Sequence, residues 1–457
     1  MFEKLKSVLS RIRPQFITNE GYLLLLAFFS FAVLMNNGAL AWKKPVALAL
    51  LLLLCGLLLL KLRLWWTSVG VIVINIFLYI SLFPRTANHP NLELFSALLL
   101  LLLIAYKWYD RRLYLQPTAV SLIFRITVVT VYFLTGFHKL NTDFFDPCVS
   151  CVNHINEIAP GKLAGTPFRL SAEISRAIQI LTLFLEMILP FGLLCAATRK
   201  WAAITILCFH FYLSFIGFAD FGAFAAFLIL GCMIDFTKTQ QHHKILMAFR
   251  VYAVFTLIAV IIKPIGIWLQ ISSTLVNFIH GFVYNIGYAL FFIIFFKNYT
   301  AHKYIWSRTH LLPALVCIVL LGFWSLKAYA GLGNSANLTM FSNLLTEQSR
   351  SNHLIVDTRY TKLTDFEEDN VLVLELHDTL KKERLEGFRV PVVEFCFLAK
   401  QYTERYPAVA LNCRLVYRND TIAIADLKQS RYSQTKWWYK YLFFRKIQPD
   451  GPNACYW

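Results

Sequence analysis

The sequence predicts an all-α polytopic membrane bundle of about 11 transmembrane helices with a small C-terminal α+β extramembrane domain. Three observations carry this. Charged residues make up 15% of the 457 positions, whereas a soluble domain carries about 25%. Apolar runs approaching the ~20 residues needed to cross a bilayer recur from Gly21 to Ala330. Beyond Gly333 the runs give way to short alternating segments, with 17 Lys and Arg against 15 Asp and Glu.

Residues 1–19 form a basic amphipathic segment, with Lys4, Lys6, Arg11 and Arg13 set among Phe2, Leu5, Val8, Leu9 and Ile12. With no apolar core leading to a small-residue cleavage site, the segment reads as lying on the cytoplasmic membrane surface. Residues 20–332 form the transmembrane domain. Its predicted spans are Gly21–Ala39, Val46–Leu60, Trp65–Leu82, Leu94–Tyr106, Val120–Phe137, Ala177–Ala196, Trp201–Gly217, Phe221–Asp235, Val251–Leu269, Leu275–Phe296 and Leu312–Ala330. Leu94–Tyr106 and Phe221–Asp235 are the shortest fits, and Phe218-Ala-Asp220 is either a tight turn or a kink.

Charge orients the bundle. The net charge of +18 resides mainly before Gly333. With the N-terminus inside, the inner loops carry Lys61 and Arg63, then Lys107, Arg111 and Arg112, then Arg199 and Lys200, then Lys238, Lys244 and Arg250, then Lys297, Lys303 and Arg308. The outer short loops carry Lys43, Lys44 and Arg85. This bias obeys the positive-inside rule and, with an odd number of spans, puts the C-terminal region outside. The charge therefore reads as topology and contact with anionic lipid, not nucleic-acid binding.

Residues 333–457 form the extracytoplasmic domain. Val371–Leu376 reads as a strand and Val392–Tyr406 as a helix. Ala408–Tyr417 and Thr421–Leu427 read as a hairpin turning at Arg418-Asn-Asp420. The aromatic, basic stretch Trp437–Phe444 either packs on the membrane surface or completes the domain core.

The residues able to carry chemistry start in the fifth span. Arg125, Tyr132 and Lys139 recur every seven residues, nearly two helical turns, and so share a face. Such a face belongs in the bundle interior or a wet cavity; the alternative is that Arg125 and Lys139 snorkel to opposite interfaces. Glu186 lies mid-helix in an apolar run, with Gln179 one heptad earlier, and His210 lies within Leu207–Ser214. A buried carboxylate needs a cation or a proton. Lys139, Glu186 and His210 together suggest a proton-handling site, provided their helices adjoin. Cys148 and Cys151 form a C-x-x-C in an outer loop, a candidate disulfide or redox pair. With no second C-x-x-C, no metal site is predicted. Cys396, Cys413 and Cys455 also fall in the outer region, making five cysteines there, so one has no partner within the chain.

The stretch Tyr132-Phe-Leu-Thr-Gly-Phe-His-Lys-Leu-Asn-Thr-Asp-Phe-Phe145 resembles the signature of the HTTM (horizontally transferred transmembrane) family, to which vitamin K-dependent γ-glutamyl carboxylase belongs. Glu186-Met-Ile-Leu-Pro190, followed by Arg199-Lys200 and Phe209-His210, is similar to that family's Glu-bearing span, basic turn and His-bearing span. The resemblance covers mainly Ser121–Phe236. Met340–Leu354 is similar to a segment of bacterial members, which implies a bacterial cytoplasmic membrane. The resemblance implies a lyase-type carboxylase in which an amine, matched by Lys139, deprotonates a reduced naphthoquinone of the vitamin K or menaquinol type. Its oxygenation then provides the base that removes the γ-proton of a Glu in an exported peptide or protein, to which carbon dioxide adds. His138 stands where the carboxylase has a second lysine. On this reading Lys139, His138, Glu186 and His210 are the candidate catalytic residues, and Arg125 and Tyr132 the candidate cofactor contacts. The alternatives are a non-enzymatic membrane partner for export or maturation of a peptide, and a proton-linked transporter using Glu186, Lys263 and His210.

Overall fold

The computed structural model describes residues 20–38, 44–109, 117–235, 242–300, 308–452 and 455. The expected amphipathic segment 1–19 lies outside these residues, as do the loop cations Lys43, Arg111, Arg112, Lys238 and Lys303. The chain is mostly helical, with a small antiparallel sheet near its C-terminal end.

Five helices lead to the site: α1 (Glu20–Asn37), α2 (Pro45–Leu60), α3 (Trp65–Tyr79), α4 (Asn88–Tyr109) and α5 (Pro117–Phe137). After a loop come α6 (Cys151–Ala164), α7 (Ala172–Leu183), α8 (Arg199–Leu213), α9 (Ala219–Met233), α10 (His242–Trp268), α11 (Ser273–Asn298) and α12 (Arg308–Leu326). Six stretches are long and apolar enough to cross a membrane: Asn88–Ala105, Pro117–Phe137, Ala172–Leu193, Arg199–Met233, His243–Trp268 and Ser273–Asn298. Gly21–Asn37, Pro45–Leu60, Trp65–Tyr79 and Leu311–Leu326 are apolar but shorter. The predicted count of about eleven spans is not confirmed among the described residues. One reason is local. The expected spans Trp201–Gly217 and Phe221–Asp235 are parts of one 35-residue helical stretch. Its helical geometry is interrupted by a kink at Gly217, whose φ of 112° is non-helical and open to a residue without Cβ.

Residues 21–35 of α1 are buried on every face, as an all-round apolar helix must be. Phe28 stacks on Tyr252 of α10 with ring centroids 4.5 Å apart, and α3 and α9 close the remaining sides. Helix α5 is enclosed by α9, α12 and the turn that follows α7.

The C-terminal sheet has the order β2-β1-β3-β4, all antiparallel, from β1 (Asn370–Leu376), β2 (Arg389–Pro391), β3 (Cys413–Tyr417) and β4 (Asp420–Ile424). Helix α13 (Val392–Arg405) packs Phe395, Ala399 and Tyr402 into the sheet's apolar cluster. The β3–β4 turn places Arg418 and Asn419 at φ 50° and 72°, the two positive angles a tight hairpin needs. Of the aromatic stretch, Leu442 and Phe444 fill a small core with Val393, while Trp437 is exposed. The domain is fastened to the helices by Arg85, whose guanidinium meets Glu394 at 2.7 Å and the carbonyls of Lys440 and Leu442 at 3.0 and 2.7 Å.

Candidate active site

Lys139 lies two residues beyond the end of α5, where its side chain turns back under the helix. Its Nζ is 2.7 Å from Glu186 Oε2 and 3.4 Å from the Thr135 carbonyl. The residue is 1% exposed, so the amine is held inside the protein and does not snorkel. Two features let Glu186 reach it. Gly136 abuts the turn bearing Glu186, and a Cβ there would lie 2.5 Å from Met187 Cγ and 3.1 Å from Glu186 Cβ. The turn itself, Phe184–Ile188, is widened to a π-helix, with the Leu189 N–H bonding to the Phe184 carbonyl. Pro190 explains the widening: its ring has no N–H and crowds the carbonyl four residues earlier, that of Glu186.

Opposite this pair, the Tyr132 hydroxyl hydrogen-bonds His210 Nε2. The helix bearing His210 kinks at Gly217, within the irregular segment Ser214–Phe218 that begins four residues after His210. π-Turns inside α-helices recur at functional sites because they re-aim side chains. Here the π-turn Phe184–Ile188 sits on the element that brings Glu186 to α5. His210 Nδ1 is buried and has no hydrogen-bond partner among the described residues.

Tyr132, Lys139, Glu186 and His210 line one cavity of about 380 Å³ whose other walls, including Val131, Leu185 and Phe221, are mainly apolar. The volume lies within the range of small-molecule sites, about 300–1,000 Å³. His89 and Asn156 also line it, and neither was singled out in the sequence. His89 sits in the polar Ala87-Asn-His-Pro90 start of α4, where its imidazole is 3.5 Å from Asp220.

Two sequence candidates lie elsewhere. His138 is fully buried, with Nδ1 2.8 Å from the Tyr329 hydroxyl and Nε2 2.7 Å from Ser325 Oγ. Both ring nitrogens are thus engaged toward α12, and His138 does not line the cavity. Arg125 is two turns from Tyr132, ~10 Å along the axis, and also lies outside the cavity. Its Nη2 meets Asp235 Oδ2 at 2.5 Å and its Nε meets the Cys232 carbonyl at 2.9 Å. Arg199 Nη1 reaches the same Asp235 oxygen at 3.1 Å. This is a buried ionic staple joining α5, α8 and the end of α9. Gln179 is buried beside the site without lining it.

The loop after Lys139 is clamped by residues 340–354. Asn141 Nδ2 donates to the Ser342 carbonyl at 2.5 Å, and the Leu354 N–H donates to the Leu140 carbonyl at 2.8 Å. Met340 and Phe341 complete the cavity wall. Leu338, Phe341 and Asn343 have φ of 64°, 52° and 56°, and non-glycine residues held there mark backbone that its surroundings over-determine. His353 secures the clamp. Its Nε2 donates to the Phe137 carbonyl at 2.9 Å, while Nδ1 accepts the N–H groups of Ile355 and Val356 at 3.1 and 3.0 Å. That pattern requires the neutral ring, and burial pushes its pKa below the ordinary 6.5.

The cysteine expectation is corrected. Cys151 is disulfide-bonded to Cys455, and Cys148 is a free, exposed thiol. Cys151 opens α6 with its N–H on Asn343 Oδ1 at 2.8 Å, whereas Cys148 sits in the preceding turn. Arg350 Nη1 holds the tail at the Gln448 carbonyl, 2.5 Å away, which brings Cys455 to Cys151. Cys396 and Cys413 are buried and free. Among the described residues, no group of three or more His, Cys, Asp and Glu is placed to hold a metal ion.

No family model matches the chain, and none of the curated proteins or solved structures compared with it is a match.

Proposed function

We propose that this chain is an HTTM-type, quinol-dependent membrane enzyme that modifies a peptide or protein outside the cytoplasm, with Lys139 as its base. The observation that carries the reading is the buried Lys139–Glu186 pair, at 2.7 Å, on the wall of an apolar cavity. The residues fit a reduced naphthoquinone: apolar walls suit its rings, and the unpartnered His210 Nδ1 offers a hydrogen bond to one ring oxygen. When bound, that group supplies through its oxygenation the driving force for removing a γ-proton from a Glu side chain.

The chain's own residues do the rest. In a low-dielectric site an ion pair and its proton-shifted neutral form differ far less in energy than in water, because both charges lose hydration. Glu186 can therefore take a proton from Lys139 Nζ and leave a free amine facing the cavity. That amine accepts a proton from an acidic hydroxyl placed beside it. Tyr132 fixes the His210 ring through Nε2, so Nδ1 keeps a constant direction. Met340 and Phe341 exclude water from that side.

The test is purified protein in nanodiscs with reduced menaquinone, oxygen, bicarbonate and a Glu-containing acceptor peptide. Quinone epoxide together with a carboxylated peptide is expected, both absent in Lys139→Ala. Peptide retention without quinol oxidation would instead favour a non-catalytic maturation partner.

A further inference from the structure

A second cavity, of about 540 Å³, opens between the α3–α4 connection, the last turns of α12 and the Tyr441–Leu442 stretch of the C-terminal domain. It shares no lining residue with the site around Lys139. Ile80, Leu98 and Phe323 in its wall are exposed apolar side chains, Leu98 on a membrane-crossing helix and Phe323 on a shorter apolar one. It therefore opens toward the lipid-facing surface. Its walls are almost wholly apolar, which suits a hydrocarbon chain.

Polar groups break that lining at the domain end, Lys327 and the Trp324 indole among them. Lys327 projects its amine into the cavity wall, and no carboxylate pairs with it among the described residues. Burial first, and then the neighbouring Arg85 guanidinium, push its pKa down to about 8. The nearby Glu394 is already engaged by Arg85 at 2.7 Å. Lys327 is thus a cation without a carboxylate partner among the described residues at the end of an apolar hollow, and a sequestered charge calls for a counter-ion. Beside Lys327, the Trp324 indole N–H is buried without an acceptor among the described residues. A buried donor of this kind calls for an oxygen acceptor.

We propose that this cavity binds an anionic membrane lipid, its acyl chain between Leu98 and Phe323 and its phosphate oxygens on Lys327 and the Trp324 indole. Basic pockets between membrane helices take anionic headgroups for this reason. The bound lipid would also cement the joint between bundle and C-terminal domain, because Tyr441 and Leu442 form part of the same wall.

The experiment reconstitutes the full chain in nanodiscs of phosphatidylcholine mixed equally with phosphatidylglycerol and counts lipids retained on release by native mass spectrometry. Wild type is expected to retain phosphatidylglycerol about fivefold over phosphatidylcholine, equivalent to about 1 kcal/mol. Lys327→Gln should abolish the preference and Lys327→Arg should keep it. Leu98→Trp, which plugs the mouth but leaves the amine, should release both lipids. The exposed-lysine control Lys44→Gln should change nothing. The proposal is overturned if wild type shows no preference, if Lys327→Gln and Lys44→Gln lower it equally, or if Leu98→Trp leaves retention intact. Should Lys327→Gln not fold, the Arg and Trp variants still decide.

Discussion

Removing either half of the Lys139–Glu186 pair should cost more than removing both. The two side chains are 2% and 10% exposed and 2.7 Å apart. Lys139→Met leaves a buried carboxylate, and Glu186→Leu leaves a buried ammonium, whose remaining hydrogen bond among the described residues is to a carbonyl at 3.4 Å. An unpaired buried charge of this kind costs about 3–5 kcal/mol, whereas replacing a buried pair by apolar residues of similar volume is often neutral or stabilising by about 1–4 kcal/mol. The double variant should therefore recover most of what each single variant loses, with a coupling energy of about 3 kcal/mol or more. Equilibrium unfolding by denaturing detergent, followed by tryptophan fluorescence, measures all four corners of the cycle. If both singles lose less than about 1 kcal/mol, as exposed pairs do, the amine is not held dry and the reasoning fails.

Other outcomes follow from the neighbouring geometry. Gly136→Ala should destabilise by about 1–3 kcal/mol through overpacking, since the new Cβ meets Met187 and Glu186 at 2.5 and 3.1 Å; an unchanged unfolding midpoint would argue against that approach. The His353 pKa is lowered in the folded state, first by burial, so the neutral ring's contribution is complete above about pH 6.5 and is lost as the pH falls below it. Protection factors for amide exchange across residues 340–354, taken relative to the intrinsic exchange rate at each pH, should fall as the pH drops below about 6.5 in wild type, and less so in His353→Gln; pH-independent protection factors would contradict the neutral-ring clamp. Alkylation without reductant, mapped by peptide mass spectrometry, should modify Cys148 and leave Cys151 and Cys455 linked. A Cys148–Cys151 linkage would reverse that pairing.

The C-terminal domain was legible because its signals are local. Alternating burial in Asn370–Leu376, the helical spacing of α13 and a turn at Arg418-Asn419 are all written in short windows. Strand β2 has three residues, too few to show a period. In the bundle, apolar runs marked the helices, and the interruption read at Phe218-Ala-Asp220 takes the form of a kink at the glycine at 217 within one 35-residue apolar stretch. At the site, Lys139, Glu186, His210 and Tyr132 stood out because charge and polarity are costly among apolar neighbours. The sequence could not separate His138 from Lys139. Adjacent residues at a helix end point ~100° apart, and only the position of α12 decides which faces the cavity. Nor could periodicity separate the two ends of one stripe, so Arg125 was grouped with Tyr132 although it serves the Asp235 staple. His89 was hidden because a histidine beside asparagine and proline at a span end looks like an ordinary loop residue. The Cys151–Cys455 link joins positions 304 residues apart, a pairing that spacing alone does not encode.

Quinol oxidation by Lys139→Arg is the sharpest probe of the amine's role. Arginine keeps a positive charge beside Glu186 but does not give up its proton in proteins. If Lys139 works as a base, oxygen-dependent quinol turnover present in wild type should vanish in Lys139→Arg as fully as in Lys139→Ala. Turnover preserved in the arginine variant would mean that a fixed charge suffices and that no proton passes through residue 139.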